Sequence, residues 1–231
     1  MMFEKLENLG LDYKNKSAML EKFMQFFIDY SRKINLISRN DIEFLFEKHI
    51  YDSLSFNLFK EKYNIKSGRL LDIGSGGGFP AVPLAVFFDD IDITAADSTE
   101  KKIKFLKEAA ETLGLKNLHP VCRRAEELPF KAEFDLGSCR AVSELRVILE
   151  YALPYLKTGG FFTAYKSLKA EEEIKNAQNA LKALNAEVID RIEYTLPLEE
   201  THKRALIIVR KNADTPEIYP RKNGIILKKP L

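Results

Sequence analysis

The most constraining feature of this sequence of 231 residues is a glycine cluster that directly follows a short apolar run. Residues 70–73 have the composition of a buried strand, and the glycine loop (residues 74–78, Gly-Ser-Gly-Gly-Gly) follows at once. A helix begins near Pro80, because the first helical turn tolerates a residue without an N–H group. Glycine permits positive φ and a close approach of the backbone to a ligand. The pattern predicts a strand, a turn and a helix with a nucleotide-like ligand at the turn.

Three classes of ligand use such a loop, and the neighbouring residues separate them. A Walker-type phosphate loop ends in Gly-Lys-Ser/Thr, whereas Gly78 is followed by Phe79 and Pro80, which argues against this class. A dinucleotide loop needs a glycine three positions after Gly76, where this sequence has Phe79. Asp72 places a carboxylate at the end of the strand, which suits the ammonium and sulfonium groups of S-adenosylmethionine (SAM) and would repel a pyrophosphate. The loop therefore predicts a SAM site.

Asp97 closes the next apolar run and can accept hydrogen bonds from both ribose hydroxyls of a nucleoside. This interpretation does not separate SAM from a nicotinamide dinucleotide. The alternative is that Asp97, beside Ser98, only provides a favourable charge at the start of the following helix.

Short apolar runs alternate with amphipathic helical stretches from residue 69 onward, which predicts a mostly parallel sheet with helices on both faces. The predicted strands are 69–74, 91–96, 118–122, 134–140, 161–166, 187–194 and 204–210. The predicted helices between them are 79–88, 99–113, 143–156 and 169–185. Because no helix separates the last two strands, they must pair as an antiparallel hairpin. We expect an α/β, Rossmann-like fold with a seven-stranded sheet.

The chain divides into three parts by pattern. Residues 1–63 form a helical segment that we expect to pack on the core through an aromatic stripe with helical spacing. Residues 64–211 form the SAM-binding domain. Residues 212–231 form a basic C-terminal tail, irregular over 212–224, where proline and glycine recur. The stripe consists of Met19, Leu20, Phe23, Phe26, Phe27, Tyr30 and Ile34.

Composition limits the class of protein and its partners. The two cysteines are too few for a disulfide framework, and the formal net charge of +2 gives weak evidence for nucleic acid. The longest apolar stretch is too short to span a bilayer and the N-terminus lacks a signal peptide, so we expect a cytoplasmic protein. Residues 203–231 carry eight Lys or Arg against two acids, which indicates either an RNA contact or a solvated terminus.

Several motifs together resemble one family. The segment LDIGSGGGFPAVPL at residues 71–84 is similar to the bacterial small-subunit ribosomal RNA guanine-N7 methyltransferases known as RsmG, or glucose-inhibited division protein B. The same resemblance extends to the C-terminus from about residue 20. The other segments that are similar to this family are NLIS at 35–38, HIYDSL at 49–54, DS and KK within 97–102, RAEE at 124–127, SCRA at 138–141 and YPRK at 219–222.

The resemblance implies a class I SAM-dependent methyltransferase that modifies N7 of a guanine in the decoding-region loop of 16S rRNA, with S-adenosylhomocysteine (SAH) as by-product. It implies that 16S rRNA or the small ribosomal subunit is the partner, and we expect a monomer that needs no membrane and no metal. The alternatives are a methyltransferase for another substrate and a non-catalytic ribosome-assembly factor. The implied and predicted cofactor contacts are Gly74, Gly76, Phe79, Asp97, Ala125, Glu126 and Arg140.

Guanine N7 carries an available lone pair, so its methylation needs no general base. We therefore expect catalysis by positioning of the base, and no nucleophile, metal or catalytic triad. Single-stranded bases stack on aromatic or arginine planes, and the candidates to hold the RNA are Arg124, Arg140 and Lys166, with Arg123 and Tyr165. His49 and Asp52 share one helical face, which places them either against the binding edge of the sheet or in a hydrogen bond on the helix surface.

Overall fold

A seven-stranded sheet forms the centre of the computed structural model, which describes residues 2–167, 170–198 and 202–231. The strands are β1 Gly68–Ile73, β2 Ile91–Asp97, β3 Leu118–Cys122, β4 Phe134–Arg140, β5 Leu156–Lys166, β6 Ala186–Thr195 and β7 Lys203–Lys211. Their order in the sheet is β3-β2-β1-β4-β5-β7-β6. The first five strands pair in parallel, whereas β7 pairs antiparallel with both β5 and β6. The predicted Rossmann-like sheet with an antiparallel C-terminal hairpin is confirmed.

The central strands are apolar on both sides because helices cover both faces of the sheet. Successive side chains of a strand point to opposite faces. Leu70 accordingly joins the core cluster on one face, and Leu71 joins the cluster on the other. Both side chains are buried, as expected for a parallel strand inside a doubly covered sheet.

The helices begin and end close to the predicted positions, with two differences. The α-helices of the described residues are α1 Ser17–Ser31, α2 Asp52–Leu54, α3 Phe56–Lys62, α4 Ala81–Phe87, α5 Glu100–Leu113, α6 Leu145–Ala152, α7 Ala170–Asn176, α8 Gln178–Ala183 and α9 Asn223–Lys228. The predicted helix 143–156 is too long, because a 3-10 turn with Pro154 follows α6 and β5 already begins at Leu156. The predicted helix 169–185 is two helices that meet at Ala177, and its first predicted residue lies outside the described residues.

The N-terminal helices pack on the face of the sheet that carries α4 and α5. Met2–Leu9 and Arg39–Phe44 are 3-10 helices, and Leu45–Tyr51 is a π-helix. The aromatic stripe of α1 is part of the core, where Phe23 and Phe27 meet Phe79 with ring centroids 5.7 and 5.2 Å apart. The N-terminal segment therefore reaches the end of the glycine loop.

The basic C-terminal residues are partly used inside the protein. The ammonium group of Lys211 is buried and donates to the carbonyls of Leu153 and Leu156 at 3.0 and 2.7 Å. Burial lowers the pKa of Lys211. The predicted irregular stretch 212–224 ends in a short helix, α9. Within the ranges that the structure describes, no helix has the length and apolar character needed to cross a membrane.

Candidate functional site

The first cleft lies at the carboxyl ends of β1, β2 and β4, where open α/β sheets bind their ligands. Its volume is about 450 Å³, within the range of small-molecule sites. The predicted cofactor residues that line it are Gly74, Asp97, Ala125 and Glu126. They come from three separate loops that the parallel sheet brings to one edge.

Gly74 is the position of the glycine loop where an added side chain would meet the wall of the first cleft. Its φ is +71°, and a Cβ atom there would lie 2.4 Å from Cγ2 of Val142, across the cleft wall. Gly77 has a different restriction, since a Cβ atom would lie 3.2 Å from the ring of Phe27 and 3.3 Å from the carbonyl oxygen of Leu36. The loop is therefore bounded by the cleft on one side and by the N-terminal segment on the other.

Asp97 links the glycine loop to the next strand–helix connection. Its Oδ2 accepts the N–H of Gly76 at 3.0 Å, and its Oδ1 accepts the N–H of Thr99 at 2.8 Å at the start of α5. Asp97 therefore does what the helix-start alternative describes, and it also lines the first cleft. Because each carboxylate oxygen has a second lone pair, acceptor capacity remains for a ribose diol. Gly76 does not line the cleft, and its link to the site is the hydrogen bond from its N–H to Asp97.

Asp72 lies beneath the glycine loop and is fully buried. Its Oδ1 accepts the hydroxyl of Ser138 at 2.8 Å, while Oδ2 has no hydrogen-bond partner among the described residues. Burial raises the pKa of Asp72 to about 6. The carboxylate does not line the first cleft and lies beneath its floor, near the site but behind the glycine loop.

Ala125 and Glu126 begin a 3-10 helix, Ala125–Glu127, beside the first cleft. The hydroxyl of Tyr155 donates to the carbonyl of Ala125 at 2.5 Å and ties this loop to the 3-10 turn that precedes β5. Phe79 differs from the other predicted contacts. It is 4% exposed and packs in the aromatic core, because the N-terminal helices cover it.

The second cleft adjoins the first, and Ala141 lines both. Its volume is about 510 Å³. Arg140, which we expected at the cofactor, lines this second cleft instead, and so does Lys166. The guanidinium of Arg140 lies 5.4 Å above the ring of Phe79, so the two residues form one stack between the N-terminal helices and β4.

Arg140 is held by the helical region around residue 50. Its Nη1 donates to Asp52 Oδ2 at 2.7 Å and to the carbonyl of Lys48 at 2.8 Å, and its Nη2 faces Nδ1 of His49. The other oxygen of Asp52 accepts the hydroxyl of Tyr194 at 2.6 Å. His49 and Asp52 thus lie against the binding edge of the sheet, the first of the two placements that their spacing allowed.

His49 is neutral in this arrangement. Burial, and after it the charge of Arg140, lowers the pKa of His49 to about 3. Since Nδ1 accepts from Arg140, the ring proton resides on Nε2, which has no partner within the described part of the chain. The second cleft therefore holds an unpaired imidazole donor beside a fixed guanidinium.

The other acids of the second cleft are each paired with a cation. Lys166 contacts Oε2 of Glu173 at 2.6 Å, and Lys48 contacts Asp41 at 2.7 Å. The hydrogen bond from Lys48 is the main cause that lowers the pKa of Asp41. Over the described ranges, no group of three or more His, Cys, Asp or Glu side chains is arranged to hold a metal ion.

Some residues of the first cleft were not predicted as site residues. Tyr151 lines it from α6, and Asn223 and Leu227 line it from α9. The only sequence signal was the family-like motif at 219–222, which directly precedes Asn223 and which we had interpreted as part of a basic tail.

The residues of the first cleft fit SAM. Gly74 leaves a space that a Cβ atom would fill, and Asp97 retains acceptor capacity for the ribose. Asp72 adds a buried carboxylate oxygen without a partner among the described residues, which gives negative potential beneath a cationic ligand. Gly74, Asp97, Ala125 and Glu126 would hold the cofactor.

Comparisons with known proteins give a consistent result. The family model for rRNA small subunit methyltransferase G (GidB) matches residues 16–202. The ribosomal RNA small subunit methyltransferase G of Fusobacterium nucleatum is 40% identical over 232 residues, which cover 99% of this chain and 97% of that protein. The protein of the same name from Alkaliphilus metalliredigens is 37% identical over 222 residues, covering 94% of this chain and 91% of that protein.

Solved structures show the same fold. M. jannaschii TYW2 in complex with AdoMet aligns with a TM-score of 0.52 at 16% identity and covers 65% of this chain and 73% of that one. A SAM-dependent O-methyltransferase from Thermotoga maritima aligns with a TM-score of 0.54 at 19% identity and covers 72% of this chain and 66% of that one. The chain belongs to the rRNA small subunit methyltransferase G (GidB) family, and it is a SAM-dependent methyltransferase.

Proposed function

We propose that this protein transfers a methyl group from SAM to N7 of a guanine in the decoding-region loop of 16S rRNA. The observation that carries the proposal is the meeting of two clefts at Ala141, one suited to SAM and the other lined by Arg140, Lys166 and Arg204. When bound, SAM supplies an electrophilic methyl group. A base held in the second cleft would face that group across the shared residue, as methyl transfer requires.

The polar groups of the second cleft support a nucleophile that needs no deprotonation. Asp52 is bonded through both oxygens, and Nδ1 of His49 faces Arg140. Glu173 is bound to Lys166, and Asp41 to Lys48. None of these described groups is poised to remove a proton from a substrate. Guanine N7 fits this site because its lone pair is already available.

Cations around the two clefts support an RNA substrate. Arg123 and Arg124 line the first cleft and form no ion pair with any residue in the described ranges. Arg204 lines the second cleft, and within the described residues its guanidinium donates to the carbonyl of Lys203 at 3.4 Å. Such groups suit RNA phosphates, and the planes of arginine side chains can also stack on an unpaired base. Because one chain builds both clefts, we expect a monomer to be sufficient.

The test is methyl transfer to rRNA from bacteria that lack this modification. Purified protein and SAM with a tritiated methyl group would be incubated with deproteinised 16S rRNA and, in parallel, with small ribosomal subunits. N7-methylguanine would be mapped by borohydride reduction and aniline cleavage of the RNA chain. We expect one labelled guanine in the decoding region, in at least one of the two substrates.

The control for this assay is Gly74→Leu, which removes space from the first cleft. Label that remains with this variant would come from a contaminating enzyme. If the wild-type protein binds SAH but transfers no methyl group to either form of the rRNA, the proposal of an rRNA substrate is wrong. The cofactor site would then serve another substrate. Transfer to a nitrogen other than N7 would overturn the argument from the lone pair.

A further inference from the structure

The C-terminal segment, residues 219–231, is fastened to the core by a buried ion pair. Glu150 of α6 is fully buried, and its two oxygens accept from Nε and Nη2 of Arg221 at 2.8 and 2.7 Å. The backbone N–H of Arg221 donates to the same carboxylate at 2.9 Å. A two-pronged pair of this kind fixes the direction in which the chain leaves it. The segment therefore has one defined position.

Two further contacts hold α9 beside the first cleft. The hydroxyl of Tyr151 donates to Oδ1 of Asn223, and Ile226 is fully buried in the core cluster below. Tyr219 and Leu231 pack against the same cluster from either end of the segment. A solvated tail would leave these groups exposed, so the C-terminal segment is packed as part of the fold.

One face of α9 is turned to the first cleft. Asn223 and Leu227 both line the cleft, and they are four residues apart, so they lie about 40° apart around the helix. Ile225 lies about 160° from Leu227 and does not line it. Leu227 is nevertheless 57% exposed, and Ile225 is 48% exposed. The two side chains are a matched pair of similar size and exposure, and one of them faces the cleft.

We propose that the C-terminal segment forms one wall of the SAM site and that Leu227 packs on the adenine ring of the bound cofactor. The identity of this ligand rests on the proposed function, and the existence of the wall rests on the contacts of α9. An exposed leucine in a cleft is stabilised when a flat apolar ring covers it.

The position of Leu227 selects the adenine and not the amino-acid end of SAM. The glycine loop lines the cleft beside Val142, and its backbone, without a side chain at Gly74, suits the narrow amino-acid group. Asp97 takes the ribose in the middle of the cleft. Tyr151 is bonded to Asn223 of α9, and burial followed by the charge of Glu126 raises the pKa of Tyr151, so α9 and the loop at Glu126 lie close together. The adenine then lies beside Glu126, Tyr151 and Leu227, which all line the cleft.

The experiment compares Leu227→Ser with Ile225→Ser by isothermal titration calorimetry. Two ligands are used, namely SAH and 5′-methylthioadenosine, which has the same nucleoside but no amino-acid group. We expect Leu227→Ser to weaken both ligands by about threefold to tenfold, the factor for losing part of one leucine contact. Ile225→Ser should bind both as the wild type does, and Leu227→Met should restore most of the affinity.

A second readout follows the segment itself. Bound SAH should slow trypsin cleavage after Lys222 and Lys228 in the wild-type protein, because the ligand and α9 hold each other in place. Equal cleavage rates with and without saturating SAH would overturn the wall.

The outcomes separate the two proposals. If the wild-type protein and Leu227→Ser bind SAH equally well, this inference is wrong and the proposed function is unaffected. A loss for SAH but not for 5′-methylthioadenosine overturns the adenine contact, since Leu227 would then meet the amino-acid end. Wild-type protein that binds neither ligand overturns the proposed function, and the ligand assignment with it.

Discussion

The two clefts share Ala141 but are built in different ways. The first cleft is formed largely at strand ends, by Gly74, Asp97 and the loop that begins at Ala125. The second depends on Arg140, which joins β4 to a helical region 88 residues earlier through Asp52. The proposed cofactor side therefore depends on local backbone shape, whereas the proposed substrate side depends on charges that meet only after the chain has folded.

The largest effect on SAH binding is expected from a substitution of Gly74, which tests whether backbone shape determines the first cleft. Gly74→Leu places a side chain where even Cβ would lie 2.4 Å from Val142, so SAH binding should fall below detection while the protein stays folded. Calorimetry with SAH, together with circular dichroism of the variant, measures both properties.

Gly159→Leu is the matched control for Gly74→Leu. Gly159 also has a positive φ, +86°, but no atom lies within 4 Å of its Cβ position. The left-handed conformation should lower the free energy of unfolding by about 1–2 kcal/mol without weakening SAH. Equal loss of SAH affinity in both variants would mean that backbone strain, and not the filling of the first cleft, causes the effect.

The sequence predicted the first cleft better than the second for the same physical reason. Glycines and acids at the ends of alternating strands must converge on one edge of a parallel sheet, so Gly74 and Asp97 could be placed without a structure. The partner of Arg140 could not, because spacing along the chain gives contacts within one helix only. His49 and Asp52 were recognised as one helical face, but the arginine that they hold was expected at the cofactor. Leu227 was not predicted because only contacts with residues distant in the sequence, such as that between Asn223 and Tyr151, place α9 beside the first cleft.

The next largest effect concerns the charges of the second cleft. Arg140→Met leaves the carboxylate of Asp52, 5% exposed, without its cation. Breaking a buried pair in this way should lower the free energy of unfolding by about 3 kcal/mol or more. Because Arg140 does not line the first cleft, the folded variant should keep its SAH affinity within about threefold. Urea denaturation and calorimetry test the two expectations separately.

Lys157→Met is the control for Arg140→Met, since it breaks an ion pair on the surface. Lys157 and Asp135 are 2.7 Å apart with side chains 48% and 40% exposed, and their loss should cost less than about 1 kcal/mol. If Arg140→Met weakened SAH by more than about tenfold, Arg140 would belong to the cofactor site, as the family resemblance implied.

The last two variants test pH dependences of opposite sign, one from Asp72 beneath the first cleft and one from His49 in the second. Burial raises the pKa of Asp72 from 3.8 to about 6, so the folded protein takes up a proton in this window and its stability falls as pH rises through it. Burial lowers the pKa of His49 from 6.5 to about 3, with the charge of Arg140 adding to the shift. Here the unfolded chain takes up the proton, so stability is lost as pH falls from about 6.5 towards 3.

Asp72→Asn and His49→Gln should therefore change the pH dependence in opposite directions. Between about pH 4 and pH 6, the free energy of unfolding should rise more steeply with pH in Asp72→Asn than in the wild type, and less steeply in His49→Gln. Urea denaturation at several pH values measures these slopes. An unchanged slope in either variant would mean that the group titrates in the folded protein as it does in the unfolded chain, and slopes that shift in the same direction would mean that folding moves one of the two pKa values in the opposite sense. The contrast between a buried acid beneath one cleft and a neutral imidazole beside the other would then have no thermodynamic basis.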